Sequence, residues 1–346
     1  MSMSMSIAEQ LINDWQQRFP QCHEPFAELG AQCGISTDRV LAEFKQMSKA
    51  GSLSRIGGIW GSGAGGAALL CAFAVPPRRL EAVAALVNAH PGVNHNYERE
   101  HAYNLWFVIT GADKAQVAAG VSGLELACGL HALRLPMQRA YRINLGFDMR
   151  SPHAAGCAAR ASGQEKLRSG SHAVQSEDRA LAALVEDGLP LLARPYAAWA
   201  QALGCSEAAI FAKLGQWLSQ GTLRRFGVVV RHHELGFAAN AMCVFDVADA
   251  DVDARAGVLS RQPGVTLCYR RARAPGWPYN LYCMLHGRER GEVLNWLASA
   301  RSAAELEMVQ QSVLFSRRRF KQCGARYFRN FARPVFDKQA QESLHA

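Results

Sequence analysis

The sequence predicts an α+β protein built as a tandem duplication, in which a winged helix-turn-helix and a ferredoxin-like βαββαβ layer occur twice. Three observations predict this fold: an internal repeat, the order of helices and strands within each copy, and a length that fits two domains or more. The chain has 346 residues, of which 49% are apolar and 19% are charged. This composition excludes wholesale disorder and collagen. Because a domain takes roughly 150 residues, the length fits two domains or more.

The repeat is visible as two pairs of strings that align in register. LGAQCGISTDRVLAEFKQMSKAGSLSRIG lies over WAQALGCSEAAIFAKLGQWLSQGTLRRFG, so that Gly57 is opposite Gly227. Further on, PGVNHNYER lies over PGVTLCYRR, and the string Tyr-Asn-Leu recurs after each. Residues 151–173 are small and polar without an apolar period, which indicates a flexible linker. Two similar units in one chain most simply form an intramolecular pseudo-dimer.

Each copy begins with three predicted helices. In the second copy the third helix runs from Ser206, a favourable N-cap, to Gly221, and an alternating strand follows it as the wing. The βαββαβ order comes next. In the first copy we predict its elements at 68–74, 80–89, 93–97, 103–110, 114–124 and 133–143. In the second copy we predict them at 241–247, 252–261, from 265, 279–286, 290–300 and 313–320.

The predicted domains follow from these elements. The winged helix-turn-helix domains take 7–62 and 174–230, and the ferredoxin-like domains take 63–150 and 231–330. The linker spans 151–173, and a C-terminal tail spans 331–346.

Charge and cysteine usage bound the partners. The formal net charge is +9 and the sequence pI is about 9.2, which indicates an anionic partner such as nucleic acid, a polycarboxylate or a phosphorylated molecule. None of the ten cysteines stands in a C-x-x-C pair or at zinc-finger spacing, so we expect no metal site. The N-terminus lacks a secretory pattern, and residues 67–75 are far short of the ~20 that a spanning helix needs. We therefore expect a cytoplasmic protein without membrane contact.

The glycine-rich segment 61–66 satisfies G-x-G-x-x-G. A dinucleotide site needs a long helix after this motif, but here a short apolar stretch ends at two prolines. We therefore favour a flexible hairpin turn. The matching segment of the second copy contains Arg231, His232 and His233 instead. Such imidazoles suit proton transfer near neutral pH, although an exposed histidine pair can also be merely solvated.

The first copy has its own candidate histidine, His95. The repeat aligns it with a leucine of the second copy, so the fold does not require a histidine at this position. Tyr97 and Arg99 recur as Tyr269 and Arg271. Residues two apart on a strand share a face, so each pair offers a phenol and a guanidinium that could bind a carboxylate. The same periodicity also fits a surface arginine beside a half-buried tyrosine.

A basic run at residues 317–321 could follow a nucleic-acid backbone or surround a flat anionic ring. The helix-turn-helix segments are poor DNA readers, however. A recognition helix presents Arg, Lys, Asn or Gln to the DNA, whereas the helix predicted at 206–220 has one lysine, Lys213. We therefore expect no nucleic-acid partner.

The order of domains resembles that of the Lrp/AsnC regulators. Longer strings are more specific: RRFGVVVRHHELGFAANAMCVFDV, VTLCYRRARAPGWPYNLYCMLHGRER and LFSRRRFKQCGARYF resemble L/H-type siroheme decarboxylase subunits. VNHNYEREHAYNLWFV and RAYRINLGFD resemble the D/G-type partner. From about Leu11 to Phe328 the chain thus resembles a natural fusion of the two, the NirDL type of haem d1 biosynthesis.

This resemblance implies removal of CO2 from the C12 and C18 acetates of siroheme, giving 12,18-didecarboxysiroheme. It implies His232 and His95 as proton donors, with His233 ranked below them, and no cofactor, because the substrate carries its own iron. The residues expected to contact siroheme are Arg55, Tyr97, Arg99, Tyr103, Trp106, Arg225, Arg231, Tyr269, Arg271, Trp277, Tyr279 and Arg318. A DNA-binding regulator and a haem-binding sensor without turnover stay open as alternatives, and so does a further homodimer.

Overall fold

The computed structural model describes residues 6–61, 63–143, 172–230 and 239–329. The chain divides into two compact units by domain type. Unit 1 contains Met1–Gly65 and Gln164–Leu235, and unit 2 contains Gly66–Gly163 and Gly236–Ala346. Each unit therefore combines segments from both copies of the repeat. The predicted tail, and the predicted linker except its last two residues, lie outside the described residues.

The described residues form ten α-helices and eleven strands. The helices are α1 (Ile7–Asp14), α2 (Pro25–Cys33), α3 (Thr37–Ala50), α4 (Leu80–Ala89), α5 (Lys114–Cys128), α6 (Arg179–Asp187), α7 (Pro195–Leu203), α8 (Glu207–Gln220), α9 (Val252–Leu259) and α10 (Arg290–Ala303). The strands are β1 (Leu53–Trp60), β2 (Ala67–Phe73), β3 (Val93–Arg99), β4 (Leu105–Gly111), β5 (Leu133–Leu135), β6 (Met137–Ile143), β7 (Leu223–Val230), β8 (Ala239–Phe245), β9 (Val265–Arg271), β10 (Leu281–Gly287) and β11 (Gln311–Gln322).

Unit 1 contains three helices from each copy and one wing strand from each. The third helix of the second copy has the predicted caps: the Ser206 side chain accepts a hydrogen bond from the backbone N–H of Ala209 at 3.2 Å, and Gly221 is left-handed. The wing strands β1 and β7 pair with each other, antiparallel, with Gly57 opposite Gly227. Each wing therefore pairs with the other copy's wing.

This pairing corrects the prediction for residues 61–66. The segment joins β1 to β2, and these two strands lie in different sheets, so it is not a hairpin turn. A strand, rather than a long helix, follows it, which also excludes the dinucleotide-binding arrangement.

The two copies are interlocked at the wings as well. Val228 donates its N–H to the carbonyl of Trp15, and Leu189 donates to the carbonyl of Ile56, so each wing strand is contacted by the segment after the first helix of the other copy. A Cβ at Gly227 would lie 2.4 Å from the Trp15 carbonyl oxygen. Glycine is required there because the two backbones approach closely.

Unit 2 contains a single nine-stranded sheet in the order β5-β2-β4-β3-β11-β8-β10-β9-β6. The last strand of each copy is shared. Residues 311–315 of β11 pair with β8 of their own copy, and residues 316–322 pair with β3 of the first copy. In the same way, β5 pairs with β2 while β6 pairs with β9. β5 and β6 are the two end strands of this order, and only Pro136 separates them along the chain.

This strand exchange refines the predicted pair of separate layers. The prediction of one strand over 133–143 missed the break at Pro136, which has no N–H to donate to a ladder. The continuous nine-stranded sheet means that the two ferredoxin-like motifs share one sheet rather than forming two that pack side by side.

The two faces of the sheet differ. Helices α4 and α5 cover one face of the first copy's strands, over a core that includes Phe107, and α9 and α10 cover the second copy's strands, over a core that includes Phe245. The opposite face carries Trp106, Tyr282 and Met242. We call this opposite face the inner face, because its side chains form one buried cluster from both copies.

The recurring Tyr-Asn-Leu string has a structural explanation. Asn104 donates to the carbonyl of Val75 at 2.9 Å and accepts from the Val75 N–H at 2.9 Å. Asn280 makes the same two hydrogen bonds with Val247, at 2.8 and 2.9 Å. Each asparagine thus fixes the chain just beyond the first strand of its motif.

Among the described residues, no helix is both long and apolar enough to cross a membrane, and no cluster of three or more His, Cys, Asp or Glu could hold a metal ion.

Candidate functional site

Strand β3 presents three of the predicted site residues on the inner face. Tyr97 lies opposite Trp106 of β4, and His95 lies opposite Val108, so both share the face of Trp106. The guanidinium of Arg99 lies 5.5 Å from the ring centre of Tyr97, which places the phenol and the cation side by side as the period of a strand predicts.

Arg99 is a buried cation that has no ionic partner within the described part of the chain. Its Nη1 donates to the carbonyl of Leu314 at 3.0 Å and to Oδ1 of Asn240 at 3.5 Å, and the residue is only 7% exposed. No carboxylate of the described residues lies within 4.0 Å of it. Burial lowers the pKa of the guanidinium to about 10, so Arg99 stays charged at neutral pH.

Arg271 repeats this arrangement in the second copy. Its Nη1 donates to the carbonyl of Leu135 at 2.9 Å, and its guanidinium lies 5.4 Å from the ring centre of Tyr269 and 5.6 Å from that of Tyr282. Burial lowers its pKa, and within the described part of the chain it has no carboxylate partner either. A buried charge without a counter-charge is costly, so both arginines are suited to bind an anionic ligand.

The carbonyls that hold these arginines belong to the exchanged strands. Leu314 lies in β11 and Leu135 in β5, directly beside the points where the two strands pass from one motif to the other. The strand period predicts the face that each arginine shares with its tyrosine, whereas the carbonyl that accepts its hydrogen bond comes from an exchanged strand.

His95 lies in an environment that disfavours its charge. Its Nδ1 is 3.0 Å from Oδ1 of Asn94, and its ring is inclined by 20° to that of Tyr97, with 6.3 Å between the centroids. Burial, together with the positive charge of Arg99, lowers the pKa of His95 to about 4. Without a ligand, this imidazole is neutral at pH 7.

Four of the six predicted aromatic residues form one cluster in unit 2. Trp277 lies 5.3 Å from Trp106 and 4.9 Å from Tyr279, between ring centroids, and 5.8 Å from Tyr103. Both indole N–H groups have partners: Trp277 donates to the hydroxyl of Tyr282 at 2.6 Å, and Trp106 donates to the carbonyl of Tyr103 at 2.7 Å. Both tryptophans are 2% exposed. The cluster packs the inner face, and contact of these rings with a substrate stays a prediction.

The basic run of β11 divides between the two faces. Arg318 forms ion pairs with Glu81 of α4 at 2.5 Å and with Glu98 at 3.3 Å, on the helix-covered face. Its neighbour Arg319 lies opposite Tyr97 on the inner face. Arg318 was selected from the basic run and Arg319 was not, and a register shift between residues 316 and 318 places Arg319 rather than Arg318 opposite Tyr97.

The remaining predicted residues lie elsewhere. Arg55 and Arg225 belong to the two-stranded sheet of unit 1, where Arg55 donates to the carbonyl of Gly58 at 3.0 Å and Arg225 donates to that of Gln16 at 2.6 Å. Burial and the neighbouring Arg55 lower the pKa of Arg225 to about 10. The predicted residues Arg231, His232 and His233 lie outside the described residues.

A cavity of about 380 Å³ borders Arg99. Its lining also includes His101 and the carboxylates of Glu98 and Glu100. Arg99 thus lies next to open space although most of its own surface is covered.

Comparison with known families matches both parts of each copy. A family model of an AsnC-like ligand binding domain matches residues 64–142 and 234–321. A model of the siroheme decarboxylase NirDL-like HTH domain matches residues 8–53 and 178–224. Each model matches twice, which confirms the duplicated fold predicted from the repeat.

Individual proteins match over nearly the whole chain. A siroheme decarboxylase NirDL subunit of Paracoccus denitrificans is 39% identical over 316 residues, which cover 91% of this chain and 95% of the relative. The crystal structure of the siroheme decarboxylase NirDL is 25% identical, covers 98% of this chain and 97% of that chain, and has a TM-score of 0.65. A second structure of that enzyme, in complex with an iron-uroporphyrin III analogue, has a TM-score of 0.64 and covers 98% of this chain.

The fold and the two family models define a protein with a doubled AsnC-like ligand-binding domain. Within this class, the chain belongs to the siroheme decarboxylase family, in its fused NirDL form. It is accordingly a carboxy-lyase, as its resemblance implied. The DNA-binding regulator is not favoured, and Lys213, the one lysine of α8, is engaged in an ion pair with Asp178 at 2.9 Å.

Proposed function

We propose that the chain removes CO2 from the C12 and C18 acetates of siroheme and releases 12,18-didecarboxysiroheme. The observation that carries the proposal is the pair of buried arginines, Arg99 and Arg271, one from each copy of the repeat, neither paired to a carboxylate within the described residues. A tetrapyrrole with acetate and propionate arms supplies the carboxylates that such cations lack.

The reaction needs an electron sink and a proton. Protonation of the macrocycle lets it accept the electron pair of the breaking bond between the acetate CH2 and its carboxylate, so CO2 leaves and an exocyclic methylene forms. A proton added to that methylene gives the methyl group, and the ring proton then departs. Each decarboxylation thus consumes one proton in total.

The residues of this chain take part by binding and by proton delivery. Arg99 and Arg271 bind carboxylates and keep them oriented. His95 delivers one proton from the inner face, and His232 delivers the second proton. His233 ranks below both as a proton donor. Tyr97 and Tyr269 pack beside the bound ring, and Arg231 contributes positive charge.

The proposal needs no cofactor beyond the iron that the substrate carries. The partner is siroheme, and neither nucleic acid nor a membrane is involved. The two copies form an intramolecular pseudo-dimer, and two chains can pair further as a homodimer. A biosynthetic enzyme of this kind works in the cytoplasm.

The decisive experiment is anaerobic incubation of the purified chain with siroheme, followed by mass spectrometry. Two successive losses of CO2 are expected, and siroheme recovered unchanged after binding would instead identify a sensor or carrier. Replacement of His95 and of His232 separately by Ala should slow the conversion, and unchanged rates in both variants would remove the histidines as proton donors.

The arginines are tested in the same assay. Arg99→Leu and Arg271→Leu should each raise KM about 10- to 100-fold, because a charged hydrogen bond contributes about 1.5–3 kcal/mol. The matched control is Arg261→Leu, since Arg261 is an exposed arginine of the same unit, and its KM should stay unchanged. Equal KM values in all three variants would contradict carboxylate binding by the buried pair.

A further inference from the structure

The two buried arginines of the inner face have different neighbours. Beside Arg99 lies Asn240, the second residue of β8, which is 4% exposed. Its Oδ1 accepts a hydrogen bond from Ser316 Oγ at 2.7 Å and faces Arg99 Nη1 at 3.5 Å. Ser316 lies directly opposite Arg99 in the pairing of β11 with β3, so the three side chains form one row across three strands.

One donor of this row has no partner among the residues that the structure describes. Both contacts of Asn240 use its carbonyl oxygen, and its Nδ2 donates to no residue that the structure describes. An amide N–H and a guanidinium are therefore adjacent, both nearly buried, without an anion between them. Two such donors can bind one carboxylate together, since each oxygen of a carboxylate accepts hydrogen bonds.

The equivalent position beside Arg271 lacks these groups. The string ANAMCVF of β8 aligns with AALLCAF of β2, so Ala68 stands where the second copy has Asn240. The residue opposite Arg271 in the pairing of β6 with β9 is Met137, where Arg99 has Ser316. Arg99 thus has polar neighbours and Arg271 has apolar ones, although the two arginines occupy equivalent positions in the repeat.

We propose that Asn240 and Arg99 together form a carboxylate-binding site for one side chain of the tetrapyrrole, in which Ser316 fixes the orientation of the Asn240 amide. The inference rests on the proposed function for the identity of its ligand. The site differs from the one at Arg271, where the guanidinium binds without an amide. The unequal sites give a near-symmetric pocket a preferred orientation for an asymmetric ring.

The test uses the full-length chain and iron-uroporphyrin III, a carboxylate-rich iron tetrapyrrole, as the probe, with the Soret band as the measure of binding. Asn240→Ala should raise the Kd about 10- to 100-fold, as expected for loss of a charged hydrogen bond. Ser316→Ala should raise it less, because it only frees the amide to rotate. Ala68→Asn, the matched change at the equivalent position, should cause no loss of affinity.

Asn240→Asp separates ligand binding from a purely structural role. The new carboxylate would lie beside Arg99 and occupy it, so the Tm of the ligand-free protein should rise while the affinity for the probe falls below that of Asn240→Ala. A merely structural asparagine would lower Tm and affinity together, and that result would overturn the inference, as would an Asn240→Ala protein with wild-type Kd. If wild-type protein binds the probe but leaves siroheme intact, the proposed activity fails while the carboxylate site stands.

Discussion

The low pKa of His95 makes a quantitative prediction about catalysis. At a pKa of about 4, roughly one molecule in a thousand carries the imidazolium at pH 7, compared with about one in four for an unperturbed histidine. Two causes lower the pKa, burial and the positive charge of Arg99. A bound carboxylate neutralises the second cause, because it pairs with Arg99, and so raises the pKa of His95 in the complex.

The pH dependence of the two kinetic constants should therefore differ. The value of kcat/KM reports the free enzyme. It should fall about tenfold per pH unit as the pH rises from 6 to 8, because this whole pH range lies far above the pKa of His95. The value of kcat reports the complex, so its decline should begin at a higher pH.

The assay is anaerobic siroheme conversion followed by mass spectrometry, for wild type and for His95→Gln. The variant should lose the slope in kcat/KM together with most of its rate. The control is His131→Gln, because His131 is an exposed histidine of the same unit. A wild-type kcat/KM that is flat between pH 6 and 8, or a slope that persists in His95→Gln, would refute proton donation by His95.

Three further predictions concern stability, each measured by urea unfolding. Asn280→Ala should lose about 2–3 kcal/mol, because it leaves buried backbone groups of residue 247 without partners, and equal stability would contradict the clamp described for Asn280. Gly227→Ala should lose about 1–3 kcal/mol through the close backbone contact, whereas Gly215→Ala, with open space around it, should not destabilise the chain. Burial lowers the pKa of His90 to about 4, below its unfolded value of about 6.5, so its contribution is present at neutral pH and is lost as the pH falls from about 6.5 to 4. His90→Gln should weaken that acid sensitivity, and an unchanged pH dependence would contradict it.

Much of the fold could be predicted because the signals are local. The caps at Ser206 and Gly221 and the alternating apolar strands are written in adjacent residues, and the helix predicted at 80–89 has the bounds of α4. The repeat added a second, independent reading of each element. The sequence did not predict pairings whose partner lies far away in the chain: the wing strands pair across copies, and β11 pairs with a strand of each copy.

The candidate site divides in the same way. The period of a strand predicted that Tyr97 and Arg99 share a face, and β3 places them so. It could not predict that Arg319 rather than Arg318 would join them, since a bulge changes the alternation. The strand period also did not indicate Asn240, which lies on a strand of the other copy. Its side chain comes close to Arg99 because β11 pairs with both of their strands.

The sequence by itself determined the two copies and the order of their helices and strands, because these depend on neighbours along the chain. Only the tertiary structure decided that the last strands are exchanged and that two cations are buried without carboxylates among the described residues. Those features depend on contacts between residues far apart in the chain, whose burial and charge no local pattern records.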